Sequence, residues 1–327
     1  MARAVIGKEF GPPEAYALGE LPAREVAPHE VRVAIRAAGI SFVDVLTAQG
    51  QYQVKPPLPF CPGSEAAGIV KETGSKVAEF YIGDRVAFSG WGGMFAEEAV
   101  VPASSLQTIP AGMNFTEAAT FSVSYTTAWH ALVDRGKLQS GETLLVLGAG
   151  GATGYAAVQV GKHLGARVIA SASSKAKREL ALAGGADAAV EARADEWREQ
   201  VRAANNGKGV DIVFDPVGGD ATDPAFRSLG WGGRHLVIGF PGGIGSLRTN
   251  LPLLKGASLI GVDIRQFGEK EPQRASENRK TIFALAEQGI LRPKIAKRYP
   301  LDRFREAMEE AVIGQCAGRI VFDLASS

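Results

Sequence analysis

The sequence has few cysteines and histidines, the residues that hold most protein-bound zinc. Its 327 residues include two cysteines, Cys61 and Cys316, which lie far apart in the chain. They form neither a disulfide framework nor a CxxC zinc motif. Four scattered histidines are expected to be surface or packing residues rather than ligands: His29, His130, His163 and His235. The composition therefore gives no support for a metal centre.

The sequence also lacks an excess of charge of either sign and a long apolar run. It has 36 Lys and Arg against 35 Asp and Glu, with no basic block, so a nucleic-acid or membrane-surface partner has no electrostatic support. No run approaches the length of a membrane span, and the first residues, MARAVIGKEFGPP, have no apolar core of signal-peptide length. We therefore expect a soluble cytoplasmic protein that binds neither nucleic acid nor membrane.

Glycine, in contrast, is abundant, and its placement helps to divide the chain. There are 40 glycines, many of them at the ends of apolar runs, where turns and close backbone approaches require them. The length is comfortable for two domains. Up to about residue 120, short apolar or alternating runs are broken by Gly and Pro, which favours a β-rich, barrel-like unit.

The middle of the chain, residues 122–264, alternates strand-like and helix-like runs. This alternation predicts a doubly wound parallel sheet flanked by helices. The predicted strands are 143–147, 167–171, 210–215, 234–239 and 258–262. Beyond residue 265 the pattern is mixed, with predicted helices at 279–288 and 304–312 and a last strand at 319–324. The fold class is therefore α/β.

A glycine-rich turn follows the first predicted strand, where residues 145–163 read LVLGAGGATGYAAVQVGKH. Against a G-x-G-x-x-G fingerprint, Gly148, Gly150 and Thr153 lack the last glycine, whereas Ala149, Gly151 and Gly154 keep two of the three. Gly151 would let the backbone approach a pyrophosphate, and Gly154 would let the helix pack closely on the strand. The helix N-terminus, with Ala152 and Thr153, would present N–H groups to the phosphates. The alternative is a tight turn that holds no ligand.

The end of the second strand distinguishes between nicotinamide cofactors. NAD-binding proteins usually carry Asp or Glu there, to accept from the ribose 2′-OH. Here residues 169–178 read IASASSKAKR, so Ala172 replaces the acid, and Ser173, Ser174 and Lys177 follow it. Hydroxyls and cations suit a 2′-phosphate, which favours NADPH. Alternatively, the cations are solvated residues on the first turn of a helix.

Several longer segments carry a resemblance to a known family over nearly the whole chain. They are AAGISFVDVLTAQGQY (37–52), PGSEAAGIV (62–70), GDRVAF (83–88), VSYTTAWHAL (123–132), GETLLVLGAGGATGYAAVQVGKHLGA (141–166), VDIVFDPVGGD (210–220), GGRHLVIGF (232–240) and AGRIVFDL (317–324). In these segments the sequence resembles the zinc-free quinone oxidoreductase (zeta-crystallin-like) branch of the medium-chain dehydrogenase/reductase superfamily. The resemblance implies a GroES-like, barrel-containing catalytic domain (1–121 and 265–327) and a Rossmann dinucleotide-binding domain (122–264). The nicotinamide is expected in a cleft between these domains.

The resemblance also bears on metal binding. Zinc alcohol dehydrogenases place a cysteine ligand where this chain has Ser41 and a histidine ligand where it has Ser64, and they carry a four-cysteine cluster that is missing here. Glu65, the remaining acid nearby, cannot hold zinc alone. We therefore predict no metal. Without a Lewis acid, reduction of an electron-poor quinone or α,β-unsaturated carbonyl remains feasible.

By resemblance, the candidate catalytic residues are Ser41, Asp44 and Tyr52. Tyr52 would donate a hydrogen bond to the substrate oxygen, or would only pack as an aromatic lid. Ser41 would position the nicotinamide ribose or amide, and Asp44 is expected to have a structural hydrogen-bonding role. Thr127 resembles the family threonine near the nicotinamide, although it could simply be a hydroxyl at a helix start.

Further cofactor contacts are expected from two loops at carboxyl ends of strands and from one arginine. The loop backbones at Val217, Gly239 and Phe240 should contact the ribose and nicotinamide. Related enzymes can carry a tyrosine by the 2′-phosphate at the position of Ala192, and Arg193 is expected to substitute for it. The substrate pocket would include residues 41–60, 91–95 and 240–270, where Asp263 and Arg265 either face solvent or mark a polar substrate.

These observations predict NADPH-dependent, zinc-independent reduction of quinones or other activated α,β-unsaturated carbonyls by hydride transfer from nicotinamide C4. Enoyl- or acrylyl-thioester reduction on the same fold is the alternative enzyme activity, and an NADPH-binding protein without turnover is a further alternative. A metal-dependent alcohol dehydrogenase is disfavoured. Dimers are the commonest homo-oligomers, and family members resemble that, so a homodimer is expected, paired across the strand at 258–262.

Overall fold

A computed structural model describes residues 1–192 and 196–324 of the chain. Its strands are β1 (Ala2–Gly7), β2 (Tyr16–Leu21), β3 (Glu30–Ile40), β4 (Glu65–Thr73), β5 (Arg85–Ser89), β6 (Glu98–Pro102), β7 (Leu106–Thr108), β8 (Thr143–Val146), β9 (Arg167–Ala172), β10 (Ala188–Glu191), β11 (Val210–Asp215), β12 (Leu229–Val237), β13 (Ser258–Gly261), β14 (Ile295–Tyr299) and β15 (Arg319–Asp323). Its helices are α1 (Phe42–Ala48), α2 (Phe115–Ala118), α3 (Ser122–Trp129), α4 (Ala152–His163), α5 (Lys175–Ala183), α6 (Trp197–Ala204), α7 (Thr222–Arg227), α8 (Asn250–Lys255), α9 (Ile264–Lys270), α10 (Pro272–Glu287) and α11 (Phe304–Ile313).

Contacts divide the chain into two compact units. Unit 1 comprises Met1–Val123 and Arg292–Ser327, and unit 2 comprises Ser124–Leu291. The sequence pattern predicts that the chain returns from the Rossmann domain to the catalytic domain at 264/265. In the structure, residues 265–291 belong to unit 2 instead. The structural reason lies in α10, where Asn278 donates to Asp134 at 2.7 Å and Arg274 pairs with the same carboxylate at 2.7 Å. These bonds attach α10 to the Rossmann unit.

Unit 1 is built on a seven-stranded sheet. The strand order is β14-β15-β3-β4-β5-β7, with β6 also paired to β3, and only the β14–β15 pair is parallel in this part of the chain. The first eight residues of β3 alternate between partly exposed and buried, so one face of that strand covers the core. The core includes Phe88, Phe95 and Phe322, and the rings of Phe95 and Phe322 meet edge to face at 4.8 Å. A β1–β2 hairpin completes the unit.

Unit 2 contains a six-stranded parallel sheet in the order β10-β9-β8-β11-β12-β13. All four residues of β8 are buried, as expected of a central strand covered on both faces. The chain fills one side of β8 first and then the other, so the direction of winding reverses between β8 and β11. In open α/β sheets, ligands bind outside the carboxyl ends of strands at such a reversal. We therefore expect ligand contacts from the loops after β8, β9, β11 and β12.

The predicted fold class is confirmed, and the five predicted strands of the Rossmann unit coincide with β8, β9, β11, β12 and β13 to within a few residues. β12 begins earlier than expected because a glycine with φ of +73°, Gly232, lets the strand start in an irregular segment. β13 lies at the edge of the sheet. No helix in the described parts of the chain is long and apolar enough to cross a membrane.

Candidate cofactor and active site

The turn after β8 is built around Gly148 rather than Ala149. Gly148 has φ of +57°, a conformation that favours glycine, and so forms the tight turn one residue before the fingerprint position of Ala149. Ala149 is fully buried, and its N–H donates to the carbonyl oxygen of Ser171 at 3.1 Å. Its amide is therefore already used within the fold, and its contact with the cofactor stays a prediction.

The N-terminus of α4 has the form required for a phosphate. Gly151 is its N-cap, no side chain among the described residues caps it, and Gly151, Ala152 and Thr153 are partly exposed. A Cβ at Gly154 would lie 2.3 Å from the carbonyl oxygen of Gly148, so only glycine allows the helix to approach the turn this closely. Uncapped N–H groups at the start of a twelve-residue helix attract anions. These residues therefore fit a dinucleotide pyrophosphate.

Lys177 lies directly beside this turn. A Cβ at Gly150 would be 2.4 Å from Cβ of Lys177, so the stem of the lysine packs on the glycine backbone. Ser174 is the N-cap of α5, where its Oγ accepts from the N–H of Lys177 at 3.3 Å, and Ser173 is exposed. The loop after β9 thus brings one cation close to the phosphate turn, and the two hydroxyls lie in the segment that leads to it. Arg193, the other predicted cation, lies outside the described residues.

An acid that the sequence reasoning missed lies next to Ala172. The last residue of β10, Glu191, is in register with Ala172, the last residue of β9. Its carboxylate pairs with Arg178 at 2.6 Å, and Arg178 also donates to the carbonyl oxygen of Ala172 at 3.3 Å. Arg178 is therefore engaged by a carboxylate. The missed signal was the position of Glu191 at the end of a neighbouring strand rather than of β9 itself.

A buried carboxylate organises the loop after β11. Asp215 is 1% exposed and accepts from the N–H of Val217 at 2.9 Å, from the N–H of Gly218 at 2.8 Å and from the hydroxyl of Thr222 at 3.2 Å. Burial alone would raise its pKa, but the hydrogen bonds from His235, Gly218 and Val217 outweigh burial and hold the pKa of Asp215 below its ordinary value. The carboxylate therefore stays ionised and fixes the turn.

His235 supplies the fourth bond to that carboxylate. Its Nε2 lies 2.9 Å from Oδ2 of Asp215, and because an ionised carboxylate only accepts, Nε2 carries the hydrogen. The imidazole is fully buried beside Phe226, with ring centroids 5.9 Å apart, and within the described chain its Nδ1 has no hydrogen-bond partner. His235 is a packing residue, as expected, but one that holds a loop. Its partnership with Asp215 could not be read from the sequence.

The loops after β11 and β12 are joined to each other. The N–H of Gly242 donates to the carbonyl oxygen of Val217 at 2.8 Å, and a Cβ at Gly218 would lie 3.2 Å from the ring of Phe240. Gly239 lies beside Pro216, and Phe240 is 46% exposed. The structure therefore brings together Val217, Gly239 and Phe240, which the sequence assigned to one binding surface. Thr127, also in unit 2, is buried in α3.

In unit 1, Ser41 and Asp44 form a capping box at the start of α1. Asp44 Oδ2 accepts from the N–H of Ser41 at 2.8 Å and from its Oγ at 2.7 Å, while Ser41 Oγ accepts from the N–H of Asp44 at 3.2 Å. Burial raises the pKa of Asp44, and hydrogen bonds from Ser41 and Ser64 oppose that rise. The arrangement agrees with a structural role for Asp44. The side chains of Ser41 and Ser64 are therefore both hydrogen-bonded to the carboxylate of Asp44.

Glu65 is a second buried acid of this cluster, and the sequence reasoning treated it only as a poor metal ligand. It is 2% exposed, accepts from the N–H of Val123 at 2.9 Å, and lies 3.4 Å from the Arg319 guanidinium. Burial raises the pKa of Glu65 to about 7, although the charge of Arg319 and the Val123 N–H lower it. A usable signal was present, since an acid begins the apolar strand EAAGIV.

Tyr52 follows α1 in a loop. Its side chain is partly exposed and stacks near Trp91, with ring centroids 6.4 Å apart and planes inclined by 28°. Its two proposed roles, hydrogen-bond donor and packing aromatic, are both compatible with this position.

The charged residues in the predicted substrate loop have a local structural role. Asp263 is the N-cap of α9 and accepts from the N–H groups of Arg265 and Gln266, each at 3.0 Å. Arg265 pairs with Glu269 at 3.2 Å and with Asp263 at 3.6 Å. The charges of this loop thus stabilise a helix that the sequence pattern did not predict.

No group of three or more His, Cys, Asp or Glu side chains within residues 1–192 and 196–324 is arranged to hold a metal ion. Ser41 and Ser64, which the resemblance aligns with zinc ligands, lie with two carboxylates that already accept hydrogen bonds from the protein. Neutral hydroxyls are poor zinc ligands compared with thiolate or imidazole.

Comparison with known proteins agrees with both units. Residues 27–111 match the family described as "Alcohol dehydrogenase GroES-like domain", and residues 152–278 match the one described as "Zinc-binding dehydrogenase". The chain is 36% identical to Quinone oxidoreductase-like protein 2 of Mus musculus, over 98% of this chain and 92% of that protein. It is 30% identical to Quinone oxidoreductase of Homo sapiens, over 97% and 96%.

A solved structure extends the similarity to three dimensions. The crystal structure of Escherichia coli quinone oxidoreductase complexed with NADPH superposes with a TM-score of 0.90 and 26% identity, over 98% of this chain and all of that one. A GroES-like unit combined with a Rossmann unit defines a medium-chain dehydrogenase/reductase fold. This chain belongs to the zinc-free quinone oxidoreductase branch of that superfamily and is an oxidoreductase.

Proposed function

We propose that this protein is an NADPH-dependent, zinc-independent reductase of quinones or other activated α,β-unsaturated carbonyls. The observation that carries the proposal is the packing of Lys177 on Gly150, which brings a cation beside an uncapped helix N-terminus. NADPH would supply a hydride from C4 of its nicotinamide. A quinone or enone accepts that hydride without a Lewis acid because it is already electron-poor.

Each part of the dinucleotide has a proposed set of contacts in this chain. The N–H groups around Gly151, Ala152 and Thr153 would hold the pyrophosphate. Ser173, Ser174, Lys177 and Arg193 would hold the 2′-phosphate, with charge-assisted bonds from the cations. Val217, Gly239 and Phe240, on loops that Asp215 keeps in place, would position the ribose and nicotinamide together with Thr127 of α3.

The substrate contacts are assigned to unit 1. Tyr52 would donate a hydrogen bond to the substrate oxygen as negative charge develops there. Ser41 would position the nicotinamide ribose or amide, and Asp44 would hold Ser41 in the required orientation through its capping box. The protein's contribution is orientation and electrostatic stabilisation rather than an acid–base triad.

A kinetic comparison tests the substrate class. Oxidation of NADPH is followed at 340 nm with 1,4-benzoquinone and, separately, with crotonyl-CoA. A higher kcat/KM for the quinone is expected, whereas a strong preference for the thioester would assign the protein to enoyl-thioester reductases. Tight NADPH binding without turnover of either compound would indicate a binding protein.

We include a cytoplasmic location and a homodimer in the proposal. The dimer is supported by the unpaired edge of β13, where Leu259 is 49% exposed, and by Leu253 and Leu254 nearby in sequence, which are 79% and 67% exposed. Sheet edges of this kind are templates for strand pairing. Light scattering measures the mass directly, and a monomeric mass would overturn this part.

A further inference from the structure

Unit 2 contains a second cleft, at the sheet edge opposite the dinucleotide loops. It has a volume of about 390 Å³ and lies where β11 and β12 begin, beside Gly209 and Leu229. The dinucleotide loops follow the other ends of these strands. The cleft is therefore distinct from the proposed cofactor site.

The cleft is lined by four cations from three helices. Arg198 and Arg202 stand four residues apart on α6, Arg227 ends α7, and Lys255 ends α8. Within the described residues no acidic side chain lines the cleft. Residues four apart on a helix share a face, so α6 presents both of its arginines together.

The described residues do not fully compensate these charges. The buried Nε of Arg198 has no hydrogen-bond partner in the described parts of the chain. Burial lowers the pKa of Lys255, and the charges of Arg198, Arg202 and Arg227 lower it further. Gathering like charges costs free energy unless an anion joins them.

Neutralisation of helix ends explains only part of this arrangement. Lys255 Nζ donates to the carbonyl oxygen of Leu229 at 2.6 Å, and Arg227 pairs with Asp223 at 2.5 Å, so each has a local role at the end of its helix. Arg198 lies in the first turn of α6, where the helix dipole disfavours a cation. Among residues 1–192 and 196–324, no helix-end role accounts for Arg198 in the cleft.

We propose that this cleft binds a phosphate-bearing small molecule through Arg198, Arg202 and Lys255. Planar guanidinium groups and an ammonium group match the several oxygens and the double charge of a phosphate. Trp231 also lines the cleft and is 82% exposed, with one edge of its indole against Gly256. An exposed indole beside a phosphate site would stack on the base of a nucleotide.

Isothermal titration with sodium pyrophosphate at constant ionic strength tests the proposal. Saturable binding is expected, weakened at least tenfold in Lys255→Gln and in Arg198→Gln. Pyrophosphate binding should be unchanged in Lys280→Gln, which removes an exposed lysine outside the cleft. Binding that survives in Lys255→Gln and is lost only in Lys177→Glu belongs to the proposed cofactor site. The last variant makes failure here distinguishable from failure of the NADPH proposal.

Two further measurements keep the test decisive. Arg202→Gln changes an exposed residue and replaces the variants of the partly buried Arg198 and Lys255 if these do not fold. Titration with ADP distinguishes the source of the phosphate: tighter binding than pyrophosphate, lost in Trp231→Ala, indicates a nucleotide, and equal binding indicates a simple phosphate. The proposal would be overturned if no saturable binding were observed, or if Lys255→Gln bound as tightly as the native protein. A change in the oligomeric mass of Lys255→Gln in solution would also overturn it.

Discussion

Asp215 in unit 2 and Glu65 in unit 1 are almost equally inaccessible to solvent, yet their pKa values are shifted in opposite directions. Asp215 accepts hydrogen bonds from His235, Val217, Gly218 and Thr222, and its pKa is lowered. Glu65 is held by fewer donors and by an arginine 3.4 Å away, and its pKa is raised to about 7. The donors around Asp215 outweigh its burial, whereas burial and the neighbouring charge of Asp44 outweigh the donors around Glu65, so burial alone does not determine whether a buried acid stays charged.

The largest effect is expected on removing the better-satisfied acid. Asp215→Ala leaves His235, two backbone N–H groups and a hydroxyl without an acceptor, so we expect the free energy of unfolding to fall by about 3–5 kcal/mol. Chemical denaturation measures this. Asp220→Ala, an exposed position in the same loop, is the control. A loss below about 1 kcal/mol would mean that the turn does not depend on this carboxylate.

Glu65→Gln tests how the raised pKa of Glu65 makes the stability of the protein depend on pH. Native Glu65 stays protonated up to a pKa of about 7, whereas the unfolded chain ionises near 4.5, so the folded state binds more protons between these values. Stability therefore falls as pH rises through this range, by up to about 3 kcal/mol, and is level above it. The raised pKa of Asp44 acts in the same direction.

In Glu65→Gln most of this pH dependence should disappear, because the amide remains neutral and still accepts from Val123. Free energies of unfolding at pH 5 and pH 8 give the slope for the variant and for native protein. Glu79→Gln, an exposed position, provides the control. An unchanged slope in Glu65→Gln would assign the pH dependence to other groups.

A third test places a new carboxylate where an anion is proposed to bind. Lys177→Glu should weaken NADPH binding at least about tenfold and leave NADH nearly unchanged, since a charge-assisted bond is worth about 1.5–3 kcal/mol. Fluorescence titration with both cofactors measures the difference between the affinities for NADPH and NADH. Lys175→Glu, on the same helix and 85% exposed at its side chain, is the matched control. Equal binding of NADH and NADPH by the native protein would contradict the assigned specificity.

The smallest effect concerns Glu191, a partly exposed acid that pairs with Arg178. Glu191→Gln releases Arg178, so we expect NADPH to bind about two- to fivefold more tightly, in line with the modest energy of exposed ion pairs. NADH should be affected less. Weaker NADPH binding in this variant would show that the ion pair holds the loop in shape rather than competing for the arginine.

The parts of the fold that the sequence predicted are those with a local signal. Strand runs such as 210–215 and the glycine turn at 148–154 depend on neighbouring residues, and both were located correctly. The fingerprint match did not reveal that Gly148, one residue before Ala149, has the positive φ of the turn, because a sequence pattern does not report backbone angles.

Features that depend on pairing between distant segments escaped prediction. Asp215 and His235 lie 20 residues apart and meet only because β11 and β12 are neighbours in the sheet. Glu191 reaches Ala172 through the register of β10 on β9. The same reason explains the domain boundary, because the bonds from α10 to Asp134 are invisible in the sequence of 265–291.

The four bonds to Asp215 also have a consequence for the thermodynamics of cofactor binding. Because one carboxylate and the Gly242–Val217 bond order the loops during folding, little conformational entropy remains to be lost when a dinucleotide arrives. Binding should then have a small entropic penalty, and its rate should be close to that of diffusional encounter with a rigid surface. A mutation that loosens the turn would therefore slow association even if every contact with the cofactor were kept.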